Sequence, residues 1–295
     1  MSTETLHGRI PERTGTLYVV ATPIGNLEDV TLRALRVLKE AALVACEDTR
    51  HTAKLFRSYG IATPRESYHE HNEARQTPRL LAALREGKCI ALVSDAGTPL
   101  LSDPGYQLVS ACRKAGIPVV PIPGACAAIT ALSAAGLPTD ACFFAGYLPP
   151  RRGARRGRLG QLAGVAGTLV FYEAPHRIAA SLEDMLAVLG PRRACLAREL
   201  TKVHEEWICG TLAEILETIA VRSHIQGEFT VIVDRGPSQA TSPPSPESLR
   251  EHFDRLVSVT GIDRKAALKE VARQRGISRR EVYREVLREK LRQDP

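Results

Sequence analysis

Acidic, basic and imidazole side chains cluster in four short stretches of this 295-residue chain. These stretches are CEDTRH at 46–51, HEHNE at 69–73, FYEAPHR at 171–177 and ARELTK at 197–202. Each contains groups that can accept a proton from a hydroxyl or hold one in place. The candidates for such a chemical step are Glu47, Asp48, Arg50, His71, Glu173, Glu199 and Lys202.

Several of these residues have an ordinary structural alternative. Glu47 and Asp48 could end a strand and cap the next helix, although the nearby Arg50 favours a functional role. His176 and Arg177 could cap the helix that follows them. The two histidines of HEHNE lack a clear third ligand, so we expect no metal. Trp207 is expected in the core rather than as a stacking surface for a base.

Three loops rich in glycine, proline and small residues follow apolar runs: ATPIGN at 21–26, SDAGTP at 94–99 and PGACAA at 123–128. Ligands of open α/β sheets lie beyond the carboxyl ends of the strands, and small residues let the backbone approach a ligand closely. The three loops together predict a pocket.

The first half of the chain alternates β-rich runs with helical patterns, which predicts a parallel sheet. The strand candidates are 16–21, 42–47, 89–94 and 118–122, and the helix candidates are 29–41, 77–87 and 105–116. Strands dominate the second half, which predicts a mixed sheet. Its strand candidates are 142–147, 168–174, 193–199, 206–210 and 229–234, with helices at 177–190 and 211–220.

The remaining segments complete the predicted organisation. Residues 1–15 read as a tail, 16–138 and 139–236 as two α/β domains, and the Pro- and Ser-rich 237–247 as a linker. Residues 248–295 are helical in pattern, with Gly276 at a turn typical of a helix-turn-helix. Their predicted apolar face comprises Leu268, Val271, Ala272, Ile277, Val282, Tyr283 and Val286.

The net charge of +7 is concentrated in two places, the C-terminal helices and RRGARRGR at 151–158. Separated basic patches favour a long anionic partner such as nucleic acid, although plain solvated charge is the alternative. The segment 151–158 is expected to be a mobile loop because glycines interrupt its arginines. Arginine suits phosphate contacts. The candidates are Arg151, Arg152, Arg155, Arg156, His176, Arg177, Arg279 and Arg280.

The chain has no apolar N-terminal leader and no spanning apolar run, so we expect a cytoplasmic protein without membrane contact. Its seven cysteines are scattered and show no C-x-x-C pair. Disulfides and a structural zinc site are therefore not expected.

The motifs together resemble those of a known family. GTLYVVATPIGNLEDVTLRALRVL, CEDTRHT, HEHNE, LVSDAGTPLLSDPGYQLV, PGACAAITALSAAGLPTD, FYEAPHR and ARELTKVHEE are similar to sequences of the tetrapyrrole-methylase-type methyltransferases. Within that family they resemble the members that act on small-subunit rRNA. The resemblance spans about residues 15–290 in order.

The resemblance implies a fold and a cofactor. It implies two α/β domains with S-adenosylmethionine in the cleft between them, to which the pattern of 248–295 adds the small helix-turn-helix-like unit. It also implies 2′-O-methylation of a cytidine ribose in 16S rRNA, and we expect a homodimer. The residues that it assigns to the cofactor are Pro23, Asp95, Ala96, Gly97, Thr98, Leu101, Ala125, Cys126, Ala127, Tyr172, Glu173, Ala197 and Leu200.

Two other functions fit the same elements. A tetrapyrrole-precursor methylase would need the cleft but no basic helical appendage. A non-catalytic helix-turn-helix regulator could use the α/β part as a ligand sensor, and it would bind the cofactor without consuming it.

Overall fold

A computed structural model of the chain describes residues 14–236, 248–260 and 262–293. The chain divides into two compact units, one ending at Arg235 and one beginning at Gly236. The predicted tail up to residue 13 and the predicted linker at 237–247 lie outside the described residues. Within those residues we find no helix with the length and apolar character needed to cross a membrane.

The first half of the larger unit is a parallel five-stranded sheet in the order β3-β2-β4-β1-β5. Its strands are β1 (Leu17–Val20), β2 (Leu43–Cys46), β3 (Arg65–Ser67), β4 (Ile90–Val93) and β5 (Val119–Ile122). Its helices are α1 (Leu32–Glu40), α2 (Thr49–Tyr59), α3 (Glu73–Arg85), α4 (Tyr106–Lys114) and α5 (Ala127–Ala134). The predicted parallel sheet is confirmed.

Alternation of side chains along each strand gives this sheet two buried faces. On β2, Val44 and Cys46 pack with α1 and α2 in one apolar cluster. The intervening Ala45 packs with α3 and α4 in the opposite cluster. Four helices therefore cover the two faces, which leaves the carboxyl edge of the sheet for the loops.

The second half of the larger unit is a mixed sheet in the order β6-β7-β10-β8-β9, as expected. Only β6 and β7 run parallel. The strands are β6 (Cys142–Tyr147), β7 (Thr168–Glu173), β8 (Arg193–Arg198), β9 (Glu206–Thr211) and β10 (Phe229–Val233). The helices are α6 (Arg152–Leu162), α7 (Ile178–Leu189) and α8 (Leu212–Ala220), and they cover one face.

Helix α5 covers the other face of this second sheet. Its buried residues Ala128, Ala131 and Leu132 pack against Val170 of β7 and Ile232 of β10. The helix follows β5 of the first sheet directly, so one short apolar segment joins the two halves.

The C-terminal unit consists of α9 (Leu249–Thr260), α10 (Arg264–Arg275) and α11 (Arg279–Gln293). Gly276 ends α10 with a φ of 65°, a left-handed conformation that glycine adopts readily. Phe253, Leu268 and Val282 form part of its buried core. The prediction that Tyr283 belongs to this core is wrong, because its ring is largely exposed.

Four elements of the fold were not predicted: α2, β3, α5 and α6. Cys195 and Cys209 lie directly opposite each other on the antiparallel strands β8 and β9, with Cα atoms 4.1 Å apart. Scattered positions in sequence thus become neighbours through strand pairing.

The arginine-rich segment 151–158 is not a mobile loop, because residues 152–162 form helix α6. The cause is Asp184 of α7, a fully buried carboxylate that pairs with Arg152, Arg155 and Arg156. Burial alone would raise the pKa of Asp184, but the hydrogen bonds from Arg156 and Arg155 outweigh it and hold that pKa below its usual value.

Arg155 is itself buried, with only 6% of its side chain exposed. Its guanidinium donates to Asp184, to the carbonyl oxygen of Pro150 and to that of Ala180. The expectation that Arg155 contacts phosphate is therefore corrected: its donors are used inside the protein.

Replacing Asp184 by Asn should lower the free energy of unfolding by about 3 kcal/mol, because the buried Arg155 guanidinium loses its charge partner. Urea denaturation measures this change. The control is Glu40→Gln, which removes an exposed ion pair with Arg36 and should cost less than about 1 kcal/mol. Equal losses in the two variants would contradict a structural role for Asp184.

Candidate active site

Three loops at the carboxyl edge of the first sheet are tied to one another by hydrogen bonds. The backbones of Thr22 and Gly97 form an isolated antiparallel bridge, with N–H to carbonyl distances of 2.8 and 3.0 Å. The Thr22 hydroxyl donates to the Ser94 carbonyl oxygen, and the Thr98 hydroxyl donates to that of Ala125. Gly97 has a φ of 83°, which explains the glycine at this position.

A cavity of about 300 Å³ lies between these loops and the second sheet. Seven of the residues predicted to bind the cofactor line it: Asp95, Ala96, Thr98, Leu101, Ala127, Tyr172 and Leu200. The catalytic candidates Glu47 and Lys202 also line it. Sequence reasoning missed Ile24, Ser102, Asp103, Tyr147, Glu228, Phe229 and Thr230.

The other predicted cofactor residues do not line the cavity. Gly97 and Ala125 instead connect the loops through their backbones: Gly97 pairs with Thr22, and the Ala125 carbonyl oxygen accepts from the Thr98 hydroxyl. Cys126 is the residue before α5, and Pro23 belongs to the β1 loop. Ala197 is fully buried in the apolar cluster beneath the wall.

Glu173 points away from the cavity because it follows Tyr172 on β7, and neighbouring side chains of a strand face opposite sides. Its buried carboxylate accepts a 2.5 Å hydrogen bond from the Ser181 hydroxyl and pairs with Arg177. Arg177 also donates to the carbonyl oxygen of Leu148. The expectation that Glu173 serves the chemistry or the cofactor is corrected accordingly.

Tyr172 connects the cavity wall to α5. Its hydroxyl oxygen accepts a hydrogen bond from the backbone N–H of Ala128, at 3.1 Å. Its ring packs edge-on against Phe144 and Tyr147. Burial is the main cause that raises its pKa, so the phenol is neutral at physiological pH. The ring offers an aromatic surface to a ligand.

Lys202 is a fixed cation on the opposite wall. Burial alone would lower its pKa, but ion pairs with Glu199 at 2.8 Å and Glu228 at 3.2 Å raise it instead. The same contact keeps the pKa of Glu199 low despite its burial. A charged lysine has no free electron pair, so Lys202 cannot accept a proton in this arrangement.

Three carboxylates line the cavity on the side of the first sheet: Glu47, Asp95 and Asp103. Burial, and next the charge of Asp95, raises the pKa of Glu47. Burial, and next the charge of Glu47, raises the pKa of Asp103 to about 6. Packed like charges of this kind suit a cationic ligand. Asp103 could have been found from the sequence, because SDAGTPLLSDPG contains a second Ser-Asp pair after the one that includes Asp95.

Asp48 and Arg50 belong to the helix start rather than to the cavity. The Asp48 carboxylate caps α2 by accepting from the Arg50 N–H, and it binds the Arg50 guanidinium. These contacts lower the pKa of Asp48. The expectation of a chemical role for this pair is corrected in favour of the capping alternative. The backbone N–H of Asp48 still donates to Asp95, which helps to orient that carboxylate.

The remaining predicted residues are spread over the surface. His71 is exposed and lines a second, more open recess that adjoins the cavity. His176, Arg151, Arg279 and Arg280 are exposed. Trp207 is partly buried against the α5 cluster, as expected. In the described ranges, no group of three His, Cys, Asp or Glu side chains is arranged to hold a metal ion.

The sequence and the fold are similar to those of known methyltransferases. The tetrapyrrole (corrin/porphyrin) methylase family matches residues 16–216. A protein named ribosomal RNA small subunit methyltransferase I, from Halalkalibacterium halodurans, is 50% identical over 91% of this chain and 93% of its own length.

Solved structures share the fold at lower sequence identity. A cobalt precorrin-4 methyltransferase superposes with a TM-score of 0.57 and 15% identity, covering 74% of this chain and 94% of its own. Uroporphyrin-III C-methyltransferase from Thermus thermophilus, complexed with S-adenosylhomocysteine, superposes with a TM-score of 0.52 and 22% identity, covering 74% and 97%. The chain belongs to the tetrapyrrole methylase family.

Proposed function

We propose that this protein transfers a methyl group from S-adenosylmethionine to the 2′-hydroxyl of a cytidine ribose in small-subunit rRNA. That it is an S-adenosylmethionine-dependent methyltransferase follows from its family. The rRNA substrate rests on one observation. The relative named as an rRNA methyltransferase matches 91% of the chain. A match of that extent must include part of the helical unit that follows Arg235.

The alternative of a tetrapyrrole-precursor methylase has weaker support. The corrin and porphyrin methyltransferase structures cover about three quarters of this chain and nearly all of their own. They share the fold that surrounds the cavity. The unmatched quarter of this chain agrees with an added task such as holding a polynucleotide.

The cavity fits S-adenosylmethionine by its chemistry. Glu47, Asp95 and Asp103 supply negative charge for a sulfonium cation, and Tyr172 and Leu200 supply apolar surface for an adenine ring. When bound, the cofactor supplies an electrophilic methyl group. The residues of the chain then align a hydroxyl with it and exclude water, which accounts for much of the acceleration of such a displacement.

The RNA partner would be held by cations outside the cavity. Arg151, Arg152 and Arg156 remain at the surface of α6, and Arg279 and Arg280 begin α11. Guanidinium groups present paired donors to phosphate oxygens. We propose these five side chains, together with His176, as the RNA contacts. Arg177 is left out because its guanidinium is engaged with Glu173 and the Leu148 carbonyl oxygen.

A homodimer and a cytoplasmic location complete the proposal. Strand β6 lies at the edge of the second sheet and leaves Phe143 partly exposed, and Ile129 of α5 is 60% exposed. Apolar side chains at a sheet edge are the kind of surface that a second copy can cover.

Incubating the protein with labelled S-adenosylmethionine and unmethylated small ribosomal subunits should place the label on 2′-O-methylcytidine. Mass spectrometry of the rRNA nucleosides identifies the product. Large subunits serve as the control substrate. Label on a base, or label on added porphyrin precursors only, would contradict the proposed function.

Replacing Gly25 by Val should weaken S-adenosylmethionine binding about tenfold, because overpacking of this kind costs about 1–3 kcal/mol. An added Cβ would press on Lys202 Cγ and lie 2.9 Å from Thr201 Oγ1, moving the wall that holds Leu200. Calorimetry measures the affinity. Gly164→Val is the control, since open space surrounds Gly164. Unchanged affinity in Gly25→Val would remove the β1 loop from the site.

Changing Arg151, Arg152 and Arg156 together to Ala should weaken RNA binding. It should also lower the slope of log affinity against log salt by about 1 for each phosphate group that the variant no longer binds. Arg155 stays in place so that Asp184 keeps its buried partner when its contacts with Arg152 and Arg156 are lost, and circular dichroism checks that the fold is retained. The control changes Arg33 and Arg57, exposed on α1 and α2. A salt series of RNA affinities measures both variants, and equal slopes would assign the α6 arginines to solvated surface.

A further inference from the structure

A second recess adjoins the cofactor cavity on the side of the first sheet. Its volume is about 500 Å³, and it shares Glu47, Ser102 and Asp103 with the cavity. The two spaces therefore meet at these three residues. A molecule bound in the recess would approach the methyl donor past Asp103.

The recess has walls that disfavour phosphate. Its acidic lining residues are Glu47, Glu70, Glu73 and Asp103, and no Arg or Lys lines it among the described residues. His69 also lines it and has a buried Nδ1 without a hydrogen-bond partner. Carboxylates accept hydrogen bonds from amino and hydroxyl groups and repel phosphate. The walls therefore suit the base and ribose of a nucleotide rather than its backbone.

An aromatic ring lies at the recess. Tyr106, the first residue of α4, lines it and is 74% exposed. Aromatic rings stack on nucleobases. A flat base bound beside Tyr106 could stack on it while its amino group faces the carboxylates.

The loop that carries Asp103 has an unusual backbone. Leu100 and Ser102 have φ values of 73° and 71°, and Gly105 has a φ of 135°. The left-handed region is costly for residues other than glycine, and such strain is concentrated at functional sites. Here it turns the chain so that Ser102 and Asp103 reach the junction of the two spaces.

We propose that the recess receives the base of the target nucleotide, stacked on Tyr106, and that Asp103 accepts the proton of the ribose hydroxyl that is methylated. This inference rests on the proposed function. The hydroxyl oxygen bonds to the methyl carbon as the carbon–sulfur bond breaks. The bonding electron pair goes to sulfur, which becomes neutral, and the proton goes to the Asp103 carboxylate.

Asp103 suits this role better than the other candidate bases do. Lys202 is held as a cation, and Asp48 and Glu173 are engaged in capping and in a buried ion pair. Glu47 also faces both spaces, and its charge is one reason why the pKa of Asp103 is raised to about 6. A base with a pKa near the working pH is the most effective kind.

The pKa of Asp103 should determine how the rate of methylation falls at low pH. Asp103 must be ionised to accept a proton, so kcat/KM for RNA should fall as pH is lowered through about 6. The other charged or titratable groups that face the same two spaces are Glu47, Glu70, Glu73, His69, His71, Asp95, Tyr106, Tyr147, Tyr172, Lys202 and Glu228.

The first test is Asp103→Asn, assayed in single turnovers with saturating S-adenosylmethionine and small ribosomal subunits. We expect a loss of about 100-fold or more and the disappearance of the inflection near pH 6. Circular dichroism and the midpoint of thermal unfolding check the fold, and Glu40→Gln on α1 is the matched control. A rate within threefold of the wild type, or an inflection that persists, would overturn the role of Asp103.

The second test measures RNA binding without cofactor, so it does not depend on turnover. Tyr106→Ala should weaken the affinity for a target-containing rRNA fragment about tenfold, the scale of one stacking contact, while Tyr106→Phe retains wild-type affinity. Equal affinities of the two variants would overturn the stacking role. Failure of the wild type to methylate any rRNA would instead refute the proposed function, which separates the two results.

Discussion

The site depends on the apolar contact between α5 and the second sheet. Ala128, Ala131 and Leu132 are small or compact, so the helix lies close to Val170 and Ile232. The N–H of Ala128 donates to the Tyr172 hydroxyl at the same interface. The two sheets share no strand, so this packed helix fixes the distance between the loops of the first sheet and the wall of the second. The cavity exists because that distance is fixed.

The two walls of the cavity carry different charges. The first sheet contributes carboxylates at the ends of β2 and β4, and the second contributes Lys202 within its own ion pairs. The lysine is neutralised locally by Glu199 and Glu228, so the cavity retains negative character. A positively charged ligand is favoured there, and a phosphate chain is not.

The sequence predicted nine of the ten described strands, the sheet types and the three loops because these depend on local patterns. Apolar runs followed by glycine-rich loops identify the carboxyl edge of a parallel sheet wherever the strands later pair. Hence the loop 94–99 was expected at a pocket, and the structure places Asp95 and Thr98 of that loop in the lining of the cavity. Leu101, which also lines it, was named through the resemblance to the family. Recognition of the family added Tyr172 and Leu200, which lie on the second sheet and carry no such local signal.

The errors arose where distant residues decide the outcome. The arginine segment reads as a loop until Asp184, which lies 29 residues beyond Arg155, supplies the buried charge that fixes it as a helix. Glu173 looked functional because its stretch is rich in polar groups, but its position beside Tyr172 on a strand turns it to the opposite face.

The chemistry and the RNA backbone must be separated in space for an electrostatic reason. The carboxylates that suit a sulfonium and a proton transfer would repel phosphates placed beside them. Lys202 of the cavity is held in its own ion pairs, and other basic side chains lie elsewhere: Arg152 and Arg156 on α6, and Arg65, Arg75 and Arg79 around a separate groove near β3. A nucleotide that reaches the junction at Asp103 must therefore turn its base and ribose inward while its phosphates stay outside.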